Sequence, residues 1–364
     1  MNSPHELALL IDALHALHGD AHPRAALATL TRTRGSTFRR PGTHMLVLED
    51  GRLVCELSGG CPQRDIELRA REAIASGQPR LLHYNADSGL DVLMEMGCGG
   101  ELEILIEPLL SPGATDFAAP LARCMESRAS ARLATLLAVD GQVLEPRRLL
   151  SCDGEVCFDG TGDEAWRAAL AAACADWPGR GAGTHRLATP RGELDVLVEA
   201  IDPPHALVVV GSSAAARALL PVSGALGWRT TLVDSDPDRL SRHEPLPGLS
   251  SLCTTPDGLR EALPLDRHTS VVVITHNLEQ DIAWLAALRD APVAYVGALG
   301  SRERVARMRH AHELAGLRLH APAGLDIGSE TPEEIALAVA AEIMAVLNGR
   351  GGGPLRDNDG AIHG

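Results

Sequence analysis

The chain has 364 residues, 45% hydrophobic and only 2% aromatic, which suits about two or three globular domains with cores of Leu, Val, Ile and Ala. All 33 basic residues are arginine, which excludes a Schiff-base lysine and a phosphate-loop lysine. A formal charge of −15 argues against a nucleic-acid partner, because neutralising phosphates needs a basic face.

The chain begins with a helix signal rather than a secretory one. Ser3 can cap, Pro4 fits the first helical position and Glu6 can close a capping box, ahead of a stripe of Leu7, Leu10, Ile11, Leu14 and Leu17. No run approaches the ~20 apolar residues of a membrane span. The greasiest segment, Ile335 to Leu347, is interrupted by Glu342. Eight cysteines at irregular spacing do not suggest a disulfide scaffold, and a cytoplasmic protein is expected.

Composition divides the chain into blocks at 1–112, 113–201 and 202–349, with a flexible tail at 350–364 rich in Gly and Asp. The first two blocks echo each other as α+β halves of an internal repeat. The alternating strand Gly100 to Glu107 resembles Gly192 to Glu199, and the Asp50-Gly51 turn resembles Asp140-Gly141. Chance similarity of common turns would leave the same trace. The third block alternates strands and helices. Strands are expected at Ala206 to Val210, Arg229 to Val233, Ser270 to Ile274 and Val293 to Val296. Helices are expected at Ser213 to Leu226, Leu278 to Arg289, Arg302 to Ala315 and from Thr331 to near Gly349. This is the pattern of a doubly wound parallel α/β domain of Rossmann type.

Four places carry chemistry. In Ser58-Gly59-Gly60-Cys61, glycine lets the backbone approach a ligand, and Cys61 precedes a helix whose N-terminus favours the thiolate. Met96-Gly97-Cys98-Gly99-Gly100 repeats the arrangement before a strand. Either thiol fits equally a small buried side chain beside a tight turn. The segment Thr31 to Gly42 holds four arginines, Arg34 and Arg40 among them, with hydroxyls such as Ser36. It suits an anion such as pyrophosphate, or a solvated turn.

The last place is the C-terminal strand ends. Gly211 and Ala216 keep two positions of a dinucleotide fingerprint, but Ser213 stands where the second glycine belongs, and Asp234 sits where a ribose hydroxyl would be bound. His276 follows a central strand, and Gly297, Gly300 and Ser301 lead into a helix that could hold a phosphate on backbone N–H groups. A nucleotide site and a purely structural Rossmann turn both fit.

Taken in order, these pieces resemble the XdhC/CoxI family. Thr31 to Pro108 is similar to its N-terminal domain, with the Arg-Gly-Ser segment, the Ser-Gly-Gly-Cys loop and the Gly-Cys-Gly-Gly loop. Leu207 to Leu347 is similar to its Rossmann domain, through Val273 to Asn277, Val296 to Ser301 and His320 to Gly328. The resemblance implies a chaperone of the molybdenum cofactor (molybdopterin) more than a catalyst, and leaves the enzyme question open. Such a protein assists sulfuration of the cofactor and its insertion into an apo molybdenum hydroxylase of the xanthine dehydrogenase type. It implies a cysteine desulfurase and a second copy of the chain, in a homodimer, as partners. By carry-over, Cys61 would contact the cofactor's molybdenum, with Cys98 second; soft thiolates suit such a metal. Pro62-Gln63 departs from the family's usual hydrophobic residue and glutamate after the first cysteine, and Ser213 from its usual glycine, which marks a divergent member. The competing reading is an NAD(P)-dependent oxidoreductase acting through the Rossmann domain.

Overall fold

The computed structural model describes residues 1–18, 24–35, 37–57, 61–85, 100–111, 113–242 and 248–357, with the Cys61 side chain left out. They form two compact units, Met1–Pro203 and Pro204–Gly364.

The first unit contains two antiparallel five-stranded sheets of one design. Half one runs α1 (Pro4–His18), β1 (Ala25–Arg34), β2 (Thr43–Leu48), β3 (Leu53–Val54), α2 (Cys61–Ser76), β4 (Arg80–Tyr84) and β5 (Glu101–Pro108). Half two runs α3 (Ala118–Glu126), β6 (Ala131–Val139), β7 (Gln142–Cys152), β8 (Glu155–Asp159), α4 (Glu164–Asp176), β9 (Gly181–Thr189) and β10 (Gly192–Ile201). The strand orders β3-β2-β1-β5-β4 and β8-β7-β6-β10-β9 are the same order counted five strands on. The repeat is therefore in the fold, but one echo is out of register. Asp50-Gly51 turns between β2 and β3, whereas Asp140-Gly141 joins β6 to β7. The topological match of Asp50-Gly51 is Asp153-Gly154, between β7 and β8.

Local chemistry starts the elements as expected. The Ser3 amide donates to Glu6 and the Glu6 amide to Ser3 Oγ, closing the capping box of α1. Alternate residues of β1 face two cores, as a period of two requires. Ala25 and Leu27 join α1 and α3 in one that draws on both halves, while Ala26, Ala28 and Leu30 pack with Ile66, Ala70 and Ala73 of α2. On sheet two, Leu170 and Cys174 of α4 play the part of α2.

The halves exchange charges across this shared core. Thr29 of β1 stands opposite His44 of β2, and Thr135 of β6 opposite Arg148 of β7. Glu107 of β5 stands opposite Leu27, and Glu199 of β10 opposite Leu133. Each half thus carries an acid and a base at matching places, and each acid meets the other half's base. His44 Nε2 lies 2.7 Å from Glu199 Oε1, and Arg148 grips Glu107 with both terminal nitrogens. All four residues are buried, so the Arg148 and Glu107 charges are held by each other rather than by water, and His44 and Glu199 share a buried hydrogen bond.

The second unit is a parallel sheet in the order β13-β12-β11-β14-β15. Its strands are β11 (Ala206–Val210), β12 (Arg229–Asp234), β13 (Leu249–Cys253), β14 (Thr269–Val273) and β15 (Tyr295–Ala298). The helices are α5 (Ala214–Ala225), α6 (Pro237–Leu240), α7 (Leu259–Ala262), α8 (Leu278–Ala287), α9 (Arg302–Arg309) and α10 (Pro332–Leu347). Helices α5 and α10 cover one face, and α8 and α9 the other, giving the doubly wound architecture. Strand β13 escapes the sequence pattern because only Leu249 and Leu252, three residues apart, are partly covered on this edge strand, so no period of two shows. The strand placed at Val293 to Val296 begins two residues later, and the helix placed to Ala315 stops at Arg309 before a short 3-10 turn. Past α10, Leu355–Asp357 forms a single 3-10 turn. Among the described residues, no helix is long and apolar enough to cross a membrane.

Candidate functional site

The strand order of the second unit reverses between β11 and β14, and that is where an open α/β sheet leaves a crevice at its carboxyl ends. The crevice has two lobes that share Ser213, Ile274, Thr275 and His276.

The smaller lobe, about 420 Å³, is lined by Gly211, Ser212, Asp234, Arg239 and Arg242. Gly211 has φ +101°, and a Cβ there would lie 2.7 Å from the Ile274 carbonyl oxygen, so glycine is required by the neighbouring strand end. Ser213 occupies the fingerprint's second glycine position because it caps α5, accepting from the Ala216 amide. The Asp234 carboxylate accepts from Ser212 Oγ at 2.6 Å and from the Asp236 amide at 3.0 Å and lines the lobe. It is 4% exposed.

The larger lobe is about 800 Å³. Three helices start at it: α5, capped by Ser213; α9, capped by Ser301; and α10, capped by Thr331 in a full capping box. The starts of α5 and α9 turn N–H groups and the positive end of the macrodipole toward the lobe and favour an anion, whereas the amides at the start of α10 are engaged by its own capping box and Pro332 has none to offer. Arg302 stands on the rim, and Ile274, Leu299, Leu325, Ile327 and Ile335 supply apolar wall. Gly300 lines this lobe, but Gly297 and Ser301 do not. Gly297 is buried in β15, where a Cβ would lie 2.6 Å from the Tyr295 ring.

Two residues that build the crevice are not among the site residues read from the sequence. Arg304 donates to the Thr275 and His276 carbonyl oxygens at 3.0 and 3.1 Å and pairs with the fully buried Asp281, which also accepts from Thr275 Oγ1. It thereby locks the loop that presents His276. Glu342, which breaks the greasy run of α10, accepts from Tyr295 Oη at 2.5 Å and from the Gly324 amide at 2.8 Å. It anchors the 320–328 segment that walls the cavity.

The first unit has a polar cavity of about 470 Å³ where β1, β4 and β5 meet β9, lined by Thr31, Arg32, Arg34, His83, Glu103 and Thr184 among others. Arg32 is 2.8 Å from Asp195 and 3.4 Å from Glu103, and Thr31 Oγ1 donates to Glu103 at 2.7 Å. The arginine-rich segment is thus divided. Arg34 faces this cavity, Arg39 is bound to Glu6, and Arg40 is not among the lining residues. Gly100 packs against Gly35 and leads into β5, beside the same cavity. Cys61 is the first residue of α2. Gln63, the departure next to it, donates to Met45 Sδ and to Glu67. Ser36, Gly59, Gly60, Gly97, Cys98 and Gly99 lie outside the described residues.

Comparison with known proteins follows the two units. The model described as the XdhC Rossmann domain matches residues 207–343, and that described as the XdhC and CoxI family matches residues 19–85. The chain is 26% identical over 329 residues, 88% of its length and 83% of the relative's, to the molybdenum cofactor insertion chaperone PaoD of Escherichia coli. It is 24% identical over 330 residues, 88% and 92% of the two chains, to a Bacillus subtilis protein described as a probable xanthine dehydrogenase component. A Bacillus halodurans crystal structure described as a xanthine dehydrogenase shares the fold, with a TM-score of 0.74, 24% identity and coverage of 96% and 98% of the two chains.

Proposed function

Because this chain belongs to the XdhC and CoxI family, we propose that it is an accessory protein that carries the molybdenum cofactor to an apo molybdenum hydroxylase. The observation that supports this most is the larger lobe of the C-terminal crevice. Its apolar walls suit a flat pterin ring, while the starts of α5 and α9 and Arg302 suit the phosphate at the ring's far end. Here the cofactor is cargo, so the residues need only bind, orient and shield it. Arg304 keeps His276 and Thr275 at the cavity mouth, and Glu342 keeps the 320–328 wall closed around it.

In the first unit, taken by itself and in a separate handling step, Cys61 is our candidate for touching the metal, with Cys98 second. A thiolate at the head of α2 would suit exchange of a molybdenum oxo ligand for sulfur. Insertion into a xanthine dehydrogenase-type enzyme, a visit by a cysteine desulfurase and assembly as a homodimer complete the reading. The test is anaerobic purification of the full chain from cells that make the cofactor, followed by pterin and molybdenum analysis. We expect near-stoichiometric pterin, lower molybdenum retention in Cys61→Ala, and loss of pterin in Arg302→Glu. No bound pterin in the parent protein, or unchanged pterin in Arg302→Glu, would overturn the assignment to the crevice.

The smaller lobe, with Gly211 and Asp234, keeps a nicotinamide nucleotide as a second reading. A ligand that binds the folded state must raise its stability, by about 2.7 kcal/mol at 100 times its Kd. No rise in melting temperature with millimolar NAD(H) or NADP(H) would remove that reading.

A further inference from the structure

Three sulfur atoms converge at one edge of the second half of the first unit. Cys124 comes from the buried face of α3, Cys152 from the last residue of β7, and Cys157 from β8. Cys124 and Cys152 form a disulfide. Cys157 Sγ lies 2.6 Å from Cys152 Sγ and 3.7 Å from Cys124 Sγ. The irregular sequence spacing suggests no disulfide scaffold and cannot show this trio, which the fold assembles from residues 28 and 5 apart.

The β7–β8 hairpin explains the third sulfur. Leu150 pairs with Phe158 and Ser151 with Val156, so Cys157 is the extra residue of a β-bulge. Bulges re-aim a side chain, and this one brings Cys157 beside the Cys152 sulfur while leaving the residue exposed. No imidazole or carboxylate belongs to the group, which is the cluster of potential metal ligands among the described residues. Arg123, next to Cys124 in α3, acts electrostatically on Cys157.

We propose that, with its disulfide reduced, the Cys124–Cys152–Cys157 trio is a three-thiolate site for one thiophilic monovalent ion of the Cu(I) class. Soft thiolates select Cu(I), zinc or iron–sulfur centres, and zinc takes four ligands in its structural sites. Three sulfurs without a nitrogen or oxygen donor match the softest of these and a trigonal arrangement. The chemistry balances. A dithiol reductant adds two electrons to the Cys124–Cys152 bond, leaving two protein thiols and its own disulfide. One Cu(I) then replaces three protons, one from each sulfur. The resulting charge of minus two is offset in part by Arg123. Cys157, at the surface, is the entry point, and Cys124, from the apolar core, is the inner ligand.

The test uses the full chain, reduced with dithiothreitol, freed of it under nitrogen and titrated with Cu(I) against the chromogenic chelator bicinchoninate. One equivalent should be withheld from the chelator, with a thiolate-to-copper absorption band in the ultraviolet. Protein left in the disulfide form should withhold none. Cys157→Ala, at an exposed position, should keep its melting temperature. Its Kd for Cu(I) should rise by more than the roughly 10–100-fold typical of losing an outer-shell partner. Cys253→Ala and Cys174→Ala should bind as the parent does. Copper released fully to the chelator, affinity unchanged in Cys157→Ala, or zinc(II) held while Cu(I) is lost would each overturn the proposal.

Discussion

Replacing Arg148 by leucine tests the exchange of charges that joins the two halves of the first unit. The substitution leaves the Glu107 carboxylate, 2% exposed, in a core that offers it no other cation at hydrogen-bonding distance among the described residues. Removing one partner of a buried ion pair costs about 3–5 kcal/mol, since the remaining charge keeps its desolvation penalty. The guanidinium also lies 4.5 Å from the Phe117 ring centroid, so a cation–π contact of about 0.5–2 kcal/mol goes with it. Native-state hydrogen exchange read by mass spectrometry is the suitable assay, because a chain of two units need not unfold in one step. In peptides from β1, β5, β6 and β10, opening should become easier by roughly two and a half to five orders of magnitude, at about 1.4 kcal/mol per tenfold. Peptides from β11 and β14 serve as the internal control. The double variant Arg148→Leu with Glu107→Leu should recover most of the protection, because two apolar residues leave no charge behind. If the double variant is as unstable as the single, packing around Arg148 and not the stranded carboxylate carries the effect. If the single variant exchanges like the parent, the charge exchange contributes nothing.

Arg304→Met should free the Thr275–Asn277 loop and strand Asp281, lowering the melting temperature of the second unit and weakening any crevice ligand, both readable by thermal shift. Gly211→Ala should fold poorly or not at all in the second unit, because its Cβ would meet a strand-end carbonyl in a left-handed conformation; circular dichroism and limited proteolysis report this. Thr331→Ala removes the capping box of α10 and should cost about 0.5–2 kcal/mol, measured by denaturant unfolding followed at Trp228 and Trp284. Burial works against ionisation of Glu6, but the Arg39 fork and the Ser3 amide outweigh it and hold the carboxyl below its ordinary 4.5. A depressed folded-state value stabilises above about pH 4.5 and is lost as the pH falls through it, so α1 should loosen only below that range, and Glu6→Gln should flatten this part of the acid titration.

Much of the architecture was legible in the sequence because its signals are local. The capping boxes at Ser3 and Thr331 and the buried runs at Ala206 and Ser270 act within a few residues of themselves. The repeat showed itself through the strands ending in Glu107 and Glu199, whose alternation is a property of each segment alone. The family resemblance likewise rested on short loops kept in order. Hidden were the edge strand Leu249–Cys253, half covered and so without an apolar signature, and the true counterpart of the Asp50-Gly51 turn.

Tertiary structure alone decided which charges meet and which side chains are already engaged. Composition cannot say that Glu199 would find His44, 155 residues away, or that Arg304 would reach back 23 residues to Asp281. Nor can it say that Asp234 would be satisfied by its own loop, or that sulfurs at 124, 152 and 157 would converge. Such pairings depend on strand order and on which faces pack together. Those follow from the burial of every element at once, whereas caps and strand periodicity follow from a handful of neighbouring residues.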